Sequence, residues 1–154
     1  MSRLIGRRLF AGLALAAMMS LPAVAQTAAK PDPQNTLYLD TSYGRVVIAL
    51  RPDLAPKHVE RLKILAREGF YNNVPFHRVI DGFMAQTGDG QFGNGTGGSK
   101  YPNLPAEFSK TPFVRGTVGM ARSSSPDSAN SQFFICLGEA SFLNGQYTVV
   151  GQVV

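Results

Sequence analysis

The stretch FHRVIDGFMAQTGD, residues 76–89, decides the fold of this chain. It is mostly apolar, and Asp81 and Gly82 in its middle are typical of a tight turn, so it predicts two short strands joined by that turn. Arg78 lies in the first predicted strand and Gln86 in the second. An arginine in a strand most often lies on a solvated edge, with its stem over apolar neighbours. Any further role for Arg78 depends on the rest of the chain.

The first 25 residues have the composition of a targeting segment. Three arginines and no acid come first, an apolar run follows at residues 9–21, and a small-x-small site ends at Ala25. This order predicts a signal peptide cleaved after Ala25. The run is shorter than the about 20 residues of a membrane span, so we expect a periplasmic or secreted protein with no membrane attachment. Arg7-Arg8 resembles the twin-arginine signal, but the ordinary secretory route is preferred.

Charge and cysteine content exclude several functions. The chain has 15 Lys and Arg against 10 Asp and Glu, but three arginines lie in the predicted leader, so 12 basic residues remain. They form no cluster, and composition therefore gives no support for a nucleic-acid partner. Two separated histidines and one cysteine predict no metal site. Cys136 lies in the apolar run FFICL, which favours a buried, unreactive thiol.

Hydrophobic periodicity predicts about seven short strands and one helix. Residues 26–35 are small and polar and predict a flexible lead-in to a domain at residues 36–154. Besides the two strands of the opening stretch, alternation predicts a hairpin and three later strands, at residues 36–41, 45–50, 117–121, 132–137 and 147–154. Short strands with Gly- and Pro-rich connections indicate a mainly-β barrel or sandwich.

The predicted helix follows the hairpin. Asp53 is the expected N-cap, Pro56 fits the first turn, and Gly69 can end the helix in a left-handed conformation. Apolar residues at three-to-four spacing form one face of this helix. His58 is expected on the opposite, solvated face.

The glycine-rich segment at residues 88–99 matches G-x-G-x-x-G twice. A dinucleotide site needs a helix directly after such a loop, whereas Pro102 and Pro105 follow here. We therefore expect a loop with positive φ angles and no nucleotide cofactor. The serines at residues 123–125 lack a G-x-S-x-G elbow, which disfavours a serine hydrolase.

Five segments, in a fixed order, carry a resemblance to a known family. They are the opening stretch, GTGG at 95–98, GTVGMA at 116–121, NSQFFI at 130–135 and FLNGQYTVVGQV at 142–153. Together they resemble the cyclophilins, which are peptidyl-prolyl cis-trans isomerases, and the similarity covers residues 36–154. It implies an eight-stranded antiparallel β-barrel flanked by helices, a monomer without cofactor or metal, and proline-containing polypeptides as substrates.

The resemblance also implies roles for individual residues. Arg78 would donate a hydrogen bond to the prolyl nitrogen, which accepts one only when the C–N bond is twisted. Gln86 would hold Arg78 and the peptide backbone. The other residues implied to bind substrate are Phe83, Met84, Phe134 and Leu143 in the proline pocket, with Ala121, Arg122, Phe142 and Tyr147 beside it. The alternative for the four pocket residues is plain core, notably for Phe134, because alternation sends only one of Phe133 and Phe134 inward.

Departures from the family concern three positions and the end of the chain. Arg122 replaces an Asn of many relatives, whereas Phe142 and Tyr147 replace a Trp and a His of eukaryotic members, as in exported bacterial ones. The Phe implies weak cyclosporin binding. The chain stops within the last predicted strand, so we expect the final helix and strand of the barrel to be missing. The leading hypothesis is an isomerase that helps exported proteins fold; the alternative is a proline-peptide-binding holdase without catalysis.

Overall fold

The computed structural model describes residues 32–154, so the predicted signal peptide lies outside the described residues. One α-helix, α1 (Pro56–Arg67), lies between the second and third of seven strands. The strands are β1 (Thr36–Thr41), β2 (Gly44–Leu50), β3 (Arg78–Ile80), β4 (Met84–Thr87), β5 (Thr117–Met120), β6 (Phe133–Cys136) and β7 (Val149–Val153). Over these residues, no helix combines the length and the apolar character needed to cross a membrane.

The strands form a single antiparallel sheet in the order β1-β2-β7-β5-β6-β4-β3. The mainly-β, antiparallel prediction is therefore confirmed, including the hairpin of the opening stretch. The last three strands are shorter than predicted. The register between β5 and β7 shifts at Val118 and Gly119, and such a bulge interrupts the regular ladder. Tyr147 and Thr148, predicted in a strand, precede β7.

Both faces of β6 are covered, and this decides the surroundings of its two adjacent phenylalanines. Phe133 packs in a cluster with residues of α1, including Val59 and Leu62. Phe134 packs on the other face in a cluster that includes Phe113. The two side chains point to opposite faces, as strand alternation predicts. Both are nevertheless buried, because each face of β6 is covered.

Helix α1 begins differently from the prediction. Asp53 does not cap it, because its carboxylate forms an ion pair with Arg51. The N-cap residue is Ala55, which has no side-chain acceptor. The carboxylate of Glu107 takes this role and accepts hydrogen bonds from the backbone amides of Lys57 at 3.2 Å and His58 at 3.1 Å. The predicted C-terminal cap is confirmed, with Gly69 at a φ of 73°.

His58 is fully buried, which contradicts its predicted place on the solvated face. Its Nδ1 lies 2.6 Å from Oε2 of Glu107. Burial lowers the pKa of His58, although the Glu107 carboxylate opposes this effect. The covering segment comes from 49 residues further along the chain, so helical periodicity alone could not reveal it.

Cys136 is buried in β6, as predicted. Burial raises the pKa of its thiol to about 11. The thiol is therefore protonated at neutral pH and is a poor nucleophile.

Candidate active site

Strand register places the two polar residues of the opening stretch beside an aromatic ring. Arg78 of β3 lies opposite Gln86 of β4, Gln86 lies opposite Phe134 of β6, and Phe134 lies opposite Gly119 of β5. Residues directly opposite one another point to the same face of a sheet. The sheet thus presents a row of guanidinium, amide and aromatic ring on the face that does not carry α1.

A hollow of about 400 Å³ lies over this row. Nine of the ten predicted site residues line it: Arg78, Phe83, Met84, Gln86, Ala121, Arg122, Phe134, Leu143 and Tyr147. Phe142 does not line it. Its ring is 63% exposed and packs on Phe83 with 5.3 Å between ring centroids. Phe142 therefore supports the wall of the hollow from outside.

The apolar floor of the hollow is rigidly packed. Phe134 stacks on Phe113 at 5.7 Å between centroids and meets Tyr147 edge-on at 5.9 Å. A Cβ atom on Gly119 would lie 2.6 Å from the rings of both Phe113 and Phe134. Glycine is therefore needed at this position to let the two rings stack behind the hollow.

A chain of side-chain amides connects Arg78 to the glycine-rich loop. The Nε2 of Gln132 donates to the carbonyls of Gly95 at 3.0 Å and Gly97 at 2.8 Å. Its Oε1 accepts from Nε2 of Gln86 at 3.0 Å, and Oε1 of Gln86 accepts from Nη1 of Arg78 at 3.4 Å. Carbonyls only accept, so the loop fixes the orientation of both amides. The oxygen of Gln86 is thereby directed at Arg78.

The loop is itself held by a buried carboxylate. Asp89 accepts hydrogen bonds from five backbone amides, those of Gln91, Phe92, Asn94, Gly95 and Gly97, at 2.8 to 3.2 Å. Burial alone would raise the pKa of Asp89, but these hydrogen bonds outweigh it and hold the pKa well below its usual value. The conformation of the loop therefore depends on Asp89 being ionised.

The glycine-rich segment has the predicted character of a loop. Three of its glycines, Gly88, Gly93 and Gly95, have φ between 70° and 92°, a range that favours glycine. No helix follows the segment before β5.

Arg122 is bound to main-chain oxygens and an aromatic ring. Its Nε and Nη2 donate to the carbonyl of Gln146, and its Nη1 donates to those of Ser123 and Ser124. The guanidinium lies 4.4 Å from the centre of the Tyr147 ring, within the range of a cation–π interaction. Arg122 therefore links two loops at the edge of the hollow.

A second hollow of about 340 Å³ adjoins the first. Gln86, Gly95, Ala121 and Arg122 line both. The remaining lining of the second hollow comes from the glycine-rich loop, from Asn103 and from the polar segment between β5 and β6. The two hollows together form one cleft.

Sequence reasoning missed several residues of the cleft, including four close to the predicted ones. His77, Asn94 and Gly95 line the first hollow, and Gln132 lines the second. Gln132 could have been found, because it lies two residues before Phe134 and strand periodicity puts both on one face. Asn94 and Gly95 belong to an irregular loop that carries no periodicity. Over residues 32–154, no group of three His, Cys, Asp or Glu side chains could hold a metal ion.

Comparison with known proteins agrees with this arrangement. Residues 36–154 match the family described as cyclophilin type peptidyl-prolyl cis-trans isomerase. A probable peptidyl-prolyl cis-trans isomerase of Brucella suis is 63% identical over 92% of this chain and 78% of its own length. A peptidyl-prolyl cis-trans isomerase of Helicobacter pylori is 38% identical over 75% of this chain and 70% of its own.

Solved structures show the same fold. A cyclophilin from Hirschia baltica superimposes with a TM-score of 0.73 at 28% identity, over 80% of this chain and 65% of that one. A cyclophilin type peptidyl-prolyl cis-trans isomerase from Cryptosporidium parvum, whose crystal structure was determined in the presence of the dipeptide Ala-Pro, gives 0.73 at 31% identity. That match covers 77% of this chain and 78% of the other.

Proposed function

This chain belongs to the cyclophilin-type peptidyl-prolyl cis-trans isomerase family, and from that premise we propose that it accelerates rotation about Xaa-Pro bonds in exported polypeptides. In this proposal the substrate proline occupies the first hollow and Arg78 is the catalytic donor. The main support for this proposal is the strand register, which brings the guanidinium of Arg78 and the ring of Phe134 to one face of the sheet. The Cryptosporidium relative studied with Ala-Pro supports proline as the occupant.

The hollow has the composition that a proline ring requires. Phe83, Met84, Phe134 and Leu143 supply apolar walls, and Met84, Phe134 and Leu143 are buried. Apolar walls with a few placed polar groups are typical of small-ligand sites. The backbone around the proline can then face the polar side of the hollow, where Gln86 and Asn94 lie.

Arg78 can lower the barrier without forming a bond to the substrate. Amide resonance sets a rotation barrier of roughly 20 kcal/mol, because the nitrogen lone pair is delocalised into the carbonyl group. When the bond is twisted, the lone pair returns to the nitrogen and can accept a hydrogen bond. A donor at this position binds the transition state more strongly than either planar isomer. Such a donor needs neither a metal nor a nucleophile.

The guanidinium is suited to this role because its protonation does not vary. Arginine remains charged at any physiological pH and offers five N–H groups in a fixed plane. One Nη1 proton is directed to Gln86, which leaves others for a ligand. Gln86 also limits the rotation of the side chain, so less conformational freedom is lost when the substrate arrives.

The activity is tested by NMR exchange spectroscopy on a short Ala-Pro-Phe peptide with and without the protein. We expect cross-peaks between the cis and trans forms within mixing times far shorter than the uncatalysed exchange, which takes tens of seconds. Peptide binding with unchanged exchange would contradict catalysis and favour the holdase alternative.

The export part of the proposal rests on the leader and is tested separately. We expect the protein expressed in a Gram-negative host to appear in the periplasmic fraction with Gln26 as its first residue. Substituting Ala25 by Arg should block cleavage and shift the product to the larger, membrane-associated form. A cytoplasmic protein that retains residue 1 would contradict export.

A further inference from the structure

The cleft carries an uncompensated positive charge. Arg78 and Arg122 line the first hollow, and Arg122 also lines the second. No Asp or Glu lines either hollow. Within residues 32–154, neither arginine forms an ion pair, whereas Arg45, Arg51 and Arg67 each lie within 4.0 Å of a carboxylate.

The charge of Arg122 is held in place. All four of its hydrogen bonds go to neutral carbonyls, which fix the guanidinium without cancelling its charge. Stacking on Tyr147 fixes its plane as well. One of the five N–H groups remains free for a ligand. A peptide in the cleft therefore meets a preorganised cation.

The carboxylate behind the glycine-rich loop does not offset this charge at the surface. Asp89 is 1% exposed, and its two oxygens are surrounded by the five loop amides. Because those amide dipoles point at the carboxylate, they reduce its field in the cleft. The side chains that a ligand can touch are neutral or positively charged.

We propose that this cleft prefers Xaa-Pro segments with an acidic side chain close to the proline, and that Arg122 sets the preference. The inference deepens the proposed function, since it names a substrate class for the same site. A fixed cation in a partly enclosed cleft attracts an acidic side chain and repels a basic one. Arg78 adds to the attraction, but its assigned role is to donate to the prolyl nitrogen. Arg122 is therefore the residue whose charge can be removed while the catalytic donor is kept.

The experiment uses peptides that differ at one position. Glu, Gln or Lys is scanned over the two residues before and the two residues after an Ala-Pro pair. For each peptide, the dissociation constant is measured by NMR titration and the catalysed exchange rate by exchange spectroscopy. The proteins compared are the wild type, Arg122→Gln, Arg122→Lys and Arg115→Gln. Arg115 is an exposed arginine that lines neither hollow, so its variant is a matched control for net charge.

We expect the Glu peptide to bind roughly two- to fivefold more tightly than its Gln counterpart for at least one position, as for exposed ion pairs. The Lys peptide should bind more weakly than both. The preference should be largely lost in Arg122→Gln, where only the attraction of Arg78 remains. It should persist unchanged in Arg115→Gln and be partly retained in Arg122→Lys. It should also decrease between 0.1 and 1 M salt, where the screening length falls from about 10 to about 3 Å.

Equal binding of the Glu, Gln and Lys peptides at every position would overturn the inference, and so would a preference as strong in Arg122→Gln as in the wild type. These outcomes are distinct from failure of the proposed function. If the protein accelerates no peptide, the isomerase proposal fails, while the dissociation constants still decide the charge preference.

Discussion

At the scale of the residue, we expect Gln132 to position Arg78. It touches Gln86 rather than Arg78, and its own orientation is set by the carbonyls of Gly95 and Gly97. Gln132→Met keeps the length of the side chain but removes both the donor and the acceptor. Gln86 can then rotate, and its oxygen is no longer directed at the guanidinium. If the misdirected guanidinium stabilises the transition state by about 1 kcal/mol less, kcat falls roughly fivefold.

The measurement must distinguish an effect of Gln132 on the orientation of Arg78 from an effect on the folding of the protein. We expect kcat for an Ala-Pro-Phe peptide to fall while the peptide dissociation constant stays nearly constant. Combined with Arg78→Ala, Gln132→Met should cause little further loss, because residues that act through one another are not additive. Gln91→Met is the control, since Gln91 also bonds the loop, through the amide of Gly98, but lies outside the chain of amides. Equal effects of the two variants would contradict positioning.

Some site residues could be predicted from the sequence and others could not, for physical reasons. Arg78, Gln86 and Phe134 lie on regular strands, where register and alternation place the side chains. Phe142 lies in a 3-10 turn, Ser141–Leu143, which has no comparable periodicity, so its packing on Phe83 outside the hollow could not be read from the sequence. Asn94 comes from a loop whose shape depends on the amides around Asp89.

At the scale of the element, the glycine-rich loop depends on a single charge. The hydrogen bonds that lower the pKa of Asp89 also contribute folding free energy, because a group with a lowered native pKa stabilises the ionised folded state. This stabilisation is fully present above about pH 4, which is the pKa of an aspartate in the unfolded chain. The stabilisation decreases as the pH falls below about 4 and is lost once the pH is below the lower pKa of Asp89 in the folded protein.

Asp89→Asn should therefore destabilise the protein at neutral pH by at least about 2 kcal/mol, since one amide oxygen cannot replace a carboxylate that accepts five hydrogen bonds. The difference between wild type and variant should shrink below about pH 4. Urea denaturation at several pH values measures both effects. Asp127→Asn is the control, because Asp127 accepts one amide hydrogen bond at an exposed position. A difference independent of pH would show that the charge of Asp89 is not responsible.

The start of α1 shows that the local sequence pattern of a helix does not reveal contacts from distant segments. Asp53 has the residue type and the place of an N-cap, but it pairs with Arg51, and Glu107 supplies the carboxylate from a distant segment. A carboxylate near a helix N-terminus is favourable from any part of the chain. The sequence therefore indicates where a cap is needed more reliably than which residue provides it.

At the scale of the whole molecule, the two faces of one sheet differ in what lies against them. One face packs on α1, and the opposite face forms the floor of the hollow. The positions of the seven strands along the chain could be predicted, because hydrophobic periodicity and the five spaced segments specify them. The burial of His58 and the double burial of β6 could not, since both depend on which distant segments cover a face.

Arg78 is proposed to stabilise the twisted Xaa-Pro bond. NMR exchange spectroscopy on an Ala-Pro-Phe peptide tests this role by comparing Arg78→Ala with the wild type. Circular dichroism first establishes that both proteins are folded. We predict that kcat falls about 100-fold or more, as for the loss of one transition-state donor, while the peptide dissociation constant changes far less. A folded Arg78→Ala variant that keeps the wild-type exchange rate would contradict the claim.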